Sequence, residues 1–295
     1  MTRTLLLILA GLVAGHVDAQ TALPDTLTKV RQTGSLTLGY RESSPPFSYI
    51  DDQQRPVGFS LDLCDQIVSG VRRHLGLREL KVAYQPVTAA NRIPLLQNGT
   101  IDLECGSTTN TIARQKVVSF LLTTFVTGTS VMVKSSNGAS GLRDLKGETV
   151  ALTSGTNNIN AIQAANQRDS LGLKIIYGKD HAESLLLLET GRAAAFSTDE
   201  ILLYSLRANA ANPKQFKVVG ELLSEEPYGI MVRKDDPSFK ALGDDILRGL
   251  FKDGSYGRIY AKWFTSPIPP KGVNLELPMS PEVRAIVANP SDRGS

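Results

Sequence analysis

Apolar residues recur every four positions at Phe59, Leu63, Ile67, Val71 and Leu75, with Cys64 and Val68 beside them. That spacing lays one apolar stripe along one face and predicts an amphipathic helix. Elsewhere the apolar residues come in short runs bounded by turn residues, which predicts strands. The runs are Leu36-Thr37-Leu38-Gly39-Tyr40, Lys81-Val82-Ala83-Tyr84-Gln85-Pro86-Val87, Ile101-Asp102-Leu103-Glu104-Cys105, Glu148-Thr149-Val150-Ala151-Leu152-Thr153, Lys174-Ile175-Ile176-Tyr177, Ala193-Ala194-Ala195-Phe196, Phe216-Lys217-Val218-Val219-Gly220 and Tyr228-Gly229-Ile230-Met231-Val232-Arg233. Helical patterns fall between them, at residues 26–32, from Thr88 to Gly99, after Ser154-Gly155-Thr156-Asn157, from Asp180, and at about 238–252 and 255–264. Strands alternating with helices predict an α/β fold.

The alternation comes in two series. Leu95-Leu96-Gln97-Asn98-Gly99, a strand, then Ser107-Thr108 has an echo in Leu187-Leu188-Glu189-Thr190-Gly191, a strand, then Ser197-Thr198. Between the series lies a β-branched stretch with Gly128 inside, residues 123–133, and Ser224-Glu225-Glu226-Pro227 marks a second crossing. A chain of 295 residues is long enough for two such units.

The amino terminus changes the picture of location. Arg3, then a mostly apolar run over residues 5–17, then Val17-Asp18-Ala19 has the order of a secretory signal peptide cleaved near Ala19. Its removal takes away Arg3 and Asp18 together, so the net charge stays +3. No cysteine follows that run before Cys64, which speaks against a lipid anchor. A charge this small, without basic runs, gives nucleic-acid binding little support. Cys64 and Cys105 can pair in an oxidising compartment or remain two buried thiols; the sequence leaves both open. With two cysteines and three histidines, no metal site is indicated.

Candidate chemistry concentrates in Glu104-Cys105-Gly106-Ser107-Thr108-Thr109-Asn110-Thr111-Ile112-Ala113-Arg114. A strand ends at Gly106, a hydroxyl cluster follows, and an arginine comes about one helical turn later. Hydroxyls, free backbone N–H groups and a forked guanidinium together hold a carboxylate well. The competing reading is a surface arginine beside an ordinary cap. Arg41 and Arg92 occupy comparable positions just past predicted strands, where open α/β sheets present ligand groups. Arg41 could equally pair with Glu42. Asp199 could cap the helix after it, and His181 could cap or sit on the surface.

Five strings carry a resemblance: Gly39-Tyr40-Arg41-Glu42-Ser43-Ser44, Asn91-Arg92-Ile93-Pro94-Leu95-Leu96-Gln97-Asn98-Gly99-Thr100, Glu104-Cys105-Gly106-Ser107-Thr108-Thr109-Asn110, Lys179-Asp180-His181 and Lys262-Trp263-Phe264. In these the chain resembles the periplasmic solute-binding proteins of polar amino acid ABC transporters, and among them the glutamate/aspartate-binding members. The resemblance implies a two-lobed type II periplasmic binding protein fold with two crossing strands at the hinge. It divides the chain into a signal peptide over residues 1–19, lobe one over 20–126 plus 227–265, lobe two over 127–226, and a tail over 266–295 packing on the surface. It also implies a set of ligand contacts. Arg114, Ser107, Thr109, Thr153 and Thr156 would hold the α-carboxylate, and Asp199 the α-ammonium. Arg41, Arg92 and His181 would surround the side-chain carboxylate. Two positions depart from the pattern: Ala89, where the family places a serine on the side-chain carboxylate, and Asn157.

The implied function is capture without chemistry: a monomeric periplasmic receptor, with no cofactor and no metal, closes on L-glutamate or L-aspartate and delivers it to a membrane permease. Three arginines and one acid match two carboxylates and one ammonium, which would each cost several kcal/mol to bury unpartnered. An exported dehydratase on the same fold would need an acid such as Glu104 or Glu200 in the cleft. A sensory ectodomain would need a membrane helix after the tail.

Overall fold

The computed structural model describes residues 23–295. The expected signal peptide lies outside the described residues. Two five-stranded sheets form the two halves of an α/β molecule. The first runs in the order Lys81–Pro86, Ser35–Tyr40, Leu103–Glu104, Met231–Arg233, Val118–Phe120. The second runs Lys174–Gly178, Thr149–Thr153, Ala195–Asp199, Thr129–Lys134, Phe216–Val219. In each, the first three strands are parallel and the last two join antiparallel.

The halves are joined by a two-stranded ribbon, Phe125–Thr127 against Glu226–Tyr228. The apolar run from Tyr228 to Arg233 is therefore not one strand. It breaks at Gly229, whose N–H leaves the ladder to donate to the Thr108 carbonyl at 3.1 Å. The break lets the chain cross with Glu226–Tyr228 and then enter the first sheet with Met231–Arg233. Another boundary also moves: the strand expected to stop at Phe196 continues to Asp199, because Ser197, Thr198 and Asp199 pair with Val131, Ser130 and Thr129.

Burial follows the sequence pattern. Phe59, Leu63, Cys64, Ile67, Val68 and Val71 are buried along the helix Phe59–His74. At the root of the hinge, Phe47 packs edge-on against Phe125 and Tyr228, with ring centroids 5.0 Å apart in each case. Phe125 also stacks on Phe264 at 5.1 Å. The crossing strands thus share one aromatic cluster with the first half. Cys64 and Cys105 form a disulfide that ties this helix to the end of Leu103–Glu104. Residues past Pro267 form a short hairpin and the helix Pro281–Ala288, in which Val283 is buried. They touch both halves: Lys271 Nζ donates to Asn209 O at 2.8 Å in the second, and Asp292 O accepts from Asn110 Nδ2 at 2.8 Å in the first.

Candidate ligand-binding site

The nine residues singled out in the sequence, apart from Arg114 and Thr156, lie at or a few residues past the carboxyl end of a parallel strand. Arg41 follows Ser35–Tyr40, Arg92 follows Lys81–Pro86, and Ser107 and Thr109 follow Leu103–Glu104. Thr153 and Asp199 end their strands, and His181 follows Lys174–Gly178. Arg114 stands one turn on, in the helix Ile112–Gln115, and Thr156 in the turn after Thr153. Parallel strands fed by right-handed crossovers leave their carboxyl ends open for ligand groups.

Cross-cleft contacts join the two sets. The Arg114 guanidinium donates to the Thr109 carbonyl at 2.8 Å on its own side and to the Gly155 carbonyl at 3.1 Å on the other. Gly155 has φ +79°, and a methyl group there would stand 2.6 Å from Ala90 Cα. The lobes are closed to backbone contact at this point, and only glycine fits.

Inside, positive charge is concentrated. Arg41 and Arg92 are each 1% exposed. Nη1 and Nη2 of Arg41, Nε of Arg92 and the hydroxyls of Ser107 and Ser130 are buried with no hydrogen-bond partner among the described residues. Burial, then the Arg92 charge, pushes Arg41 down to about 10; the same two causes push Arg114 to about 10. All three guanidiniums remain charged at neutral pH. Such a cluster favours an anion, since each buried unpaired charge is costly.

The remaining side chains have defined roles. The Thr153 hydroxyl bonds His181 Nδ1 at 2.9 Å and Ser184 Oγ at 2.8 Å, and so holds the imidazole from within its own lobe. Thr156 donates to the Thr153 carbonyl at 2.8 Å, closing the turn. His181 is buried and does not cap its helix; Asp180 does that, accepting from Glu183 N at 2.9 Å. Burial, then the charges of Arg41 and Arg92, holds His181 well below its usual titration range, so it is neutral. Asp199 sits at a helix N-cap position without capping it. Its carboxylate instead accepts from Asn158 Nδ2 at 2.6 Å and from the Tyr228 hydroxyl.

Two buried acids change the charge count read from the sequence. Glu104, fully buried, lies 3.8 Å from Arg92 Nη1 and accepts from Thr108 Oγ1 at 2.6 Å, while Arg92 donates to that same hydroxyl. Part of the Arg92 charge is thus met by the protein. Glu226, also fully buried, accepts from Asn157 Nδ2 at 3.0 Å on both oxygens and from Ser224 Oγ at 2.6 Å. Three guanidiniums therefore face three carboxylates, with the positive groups on one side and Asp199 and Glu226 together on the other.

The profile of the bacterial extracellular solute-binding proteins, family 3, matches residues 36–266. The chain belongs to this family. An L-glutamate/L-aspartate-binding protein of Pseudomonas aeruginosa is 45% identical over 98% of this chain and 95% of the relative. A glutamate/aspartate import solute-binding protein of Escherichia coli is 42% identical over 99% of this chain and 97% of the relative. Among solved structures, an ancestral arginine-binding protein bound to arginine superposes with a TM-score of 0.71 at 32% identity, covering 78% of this chain and 98% of its own. The fold is that of the two-lobed type II periplasmic binding proteins.

For a family 3 solute-binding protein, the sequence left several buried polar residues of the cleft unread. Glu104 was read as a strand residue and as a candidate acid for an enzyme, but not as the partner of Arg92, because a carboxylate inside an apolar run gives no sign of its partner. Glu226 looked like part of the second crossing, and Tyr228 like the start of a strand. Asn158, which joins Asp199 to Thr129 Oγ1 with a 2.7 Å bond to the latter, looked like part of a helix start. Each gains its role from a residue between 4 and 69 positions away.

Proposed function

We propose that this protein captures L-glutamate or L-aspartate between its lobes in the periplasm and delivers it to the membrane permease of an ABC transporter. The observation that carries this is the buried Arg41 guanidinium, whose terminal nitrogens have no protein partner, standing with Arg92 and neutral His181 on one side of a cleft that Arg114 spans. A side-chain carboxylate fits between Arg41, Arg92 and His181. The α-carboxylate fits against Ser107, Thr109, Arg114 and the turn of Thr153 and Thr156, with the ammonium directed to Asp199. A neutral amide would leave the Arg41 charge buried and unmet. The Glu/Asp-binding relatives named above are consistent with the same ligand class.

Capture works as a receptor, without turnover. The acids weighed for an enzyme sit beside other groups: Glu104 accepts from Thr108 at one oxygen and lies 3.8 Å from Arg92 at the other, and Glu200 accepts from the Tyr204 hydroxyl at 3.2 Å. The protein acts as a monomer and needs no cofactor, and nucleic acid is no partner. The ligand shifts the molecule towards closure through what it touches on both lobes, added to the direct Arg114–Gly155 bond.

The test is a thermal-shift panel of the twenty amino acids followed by calorimetry. Ligand at about 100 times its Kd stabilises the folded state by about 2.7 kcal/mol. Glutamate and aspartate are expected to raise the melting temperature, and arginine, lysine and glutamine to leave it near the free value. A shift with arginine and none with glutamate would overturn the reading.

A further inference from the structure

Asp199 and Glu226 are two fully buried carboxylates from different parts of the fold, the end of a lobe-two strand and the crossing ribbon. One chain of hydrogen bonds links them. Asn158 Nδ2 donates to Asp199 at 2.6 Å and to Thr129 Oγ1 at 2.7 Å, while Ser224 Oγ donates to Glu226 at 2.6 Å and lies 2.8 Å from Thr129 Oγ1. Consecutive asparagines, Asn157 on Glu226 and Asn158 on Asp199, hold the two acids side by side.

We propose that Asp199 and Glu226 form one acid pair that holds a single proton in the free cleft, and that the ammonium of the captured amino acid displaces this proton into solvent. The proposal rests on the amino acid reading above. No cation of the protein is hydrogen-bonded to either carboxylate among the described residues; their partners are the neutral donors Thr129, Asn157, Asn158, Ser224 and Tyr228. Two carboxylates sharing a buried site do not both ionise freely. Burial, then the Glu226 charge, pushes Asp199 up to about 7, against the lowering pull of Tyr228, Asn158 and the Arg114 charge. The charged and titratable groups facing the pair are Arg114 and Arg92 from lobe one and Tyr228 from the ribbon. Tyr228 is held well above its usual range by burial and Asp199, so it stays a neutral donor.

The exchange is driven locally, by the ammonium standing against the pair, because the summed charge of cleft and ligand is zero with the proton kept and minus one with it released. With one shared proton, the three arginines and three acids leave the cleft one positive charge. Glutamate or aspartate brings two carboxylates and an ammonium, a net charge of minus one. The carboxylates are met by the guanidiniums, and the ammonium replaces the proton as counter-charge to the pair. No bond other than O–H breaks, and the proton goes to buffer. Affinity then falls about tenfold for each pH unit below the point where the free pair takes up its proton. The ligand's own side-chain carboxylate, with a reference value of about 4.3, stays ionised in that range.

Calorimetric titration with glutamate, in pairs of buffers of unlike ionisation enthalpy, counts the protons. At pH 6 in phosphate and imidazole, release approaching one proton per glutamate is expected, and at pH 8 in phosphate and Tris, close to none. Equal enthalpies in both buffers at pH 6 would overturn the inference while leaving the receptor reading intact. Loss of binding at both pH values would overturn the receptor reading and this inference with it. Two variants act in opposite directions, which a purely structural role would not produce. Glu226→Gln removes the like charge but not the burial, and should reduce release at pH 6. Tyr228→Phe removes a donor that favours ionised Asp199, and should make release measurable at pH 8. Unchanged proton counts in both variants would overturn the assignment to this pair.

Discussion

Arg114 Nη2 lies 3.1 Å from the carbonyl oxygen of Gly155, so one guanidinium of the first lobe is bonded to the turn of the second. Arg114 therefore braces the closed lobes, in addition to the ligand-binding role proposed for it. Arg114→Ala removes both bonds and a buried charge partner, a loss of the order of 2–5 kcal/mol. Glutamate affinity measured by calorimetry is expected to fall about 30-fold or more. Retained affinity would remove Arg114 from the α-carboxylate role.

Gly155→Ala should act on closure and on the Thr153–Thr156 turn. The added methyl would stand 2.6 Å from Ala90 Cα, and φ +79° is strained for any L side chain. The substitution leaves Arg41 and Arg92 themselves in place. Glutamate affinity should drop about tenfold or more, and small-angle scattering should no longer show compaction on adding glutamate. Normal compaction would mean that the backbone contact at Ala90 is not needed.

Ala89 is buried at the same lobe contact, its carbonyl carbon 2.7 Å from where a Gly155 methyl would stand. Ala89→Ser adds a donor on the side of the cleft assigned to the side-chain carboxylate. The expected outcome is a change in the ratio of glutamate to aspartate affinity of several-fold, read by competition calorimetry. An unchanged ratio would show that position 89 does not sense ligand length.

The Cys64–Cys105 disulfide closes a loop with a sequence separation of 41. Chain-entropy reasoning gives about 4 kcal/mol for a loop of that size. Replacing both cysteines by serine should lower stability by that order in urea denaturation. Because Cys105 directly precedes the Gly106–Thr109 turn, some loss of glutamate affinity should accompany it. Both sulfurs are fully buried, so reductant should act on the native protein only slowly.

His181 should make stability depend on pH. The folded protein keeps it neutral well below its usual value of 6.5, whereas the unfolded chain takes up a proton near that value. The unfolded state then binds more protons at low pH. The stability held above about 6.5 is lost as pH falls below it, by up to about 1.4 kcal/mol per pH unit. Asp199 acts in the opposite sense, keeping its proton up to about 7 when folded against 3.8 as the unperturbed value. The difference between wild type and His181→Gln isolates the first effect, and that difference should shrink as pH falls from 7 to 5.

Periodicity alone determined the helix Phe59–His74 and most parallel strands, because an apolar face must be buried whatever it packs against. The strand-end positions of Arg41, Arg92 and Ser107 were likewise legible, since a run of apolar residues has a visible stop. Tertiary structure decided the charge balance. Whether Glu104 meets Arg92, whether Asp199 caps a helix or joins Glu226, and whether Cys64 reaches Cys105 all depend on distances between elements remote in the chain. Local pattern specifies which face of an element is buried; it carries no term for which ionised group arrives opposite, and in a dry cleft that partner fixes each group's charge.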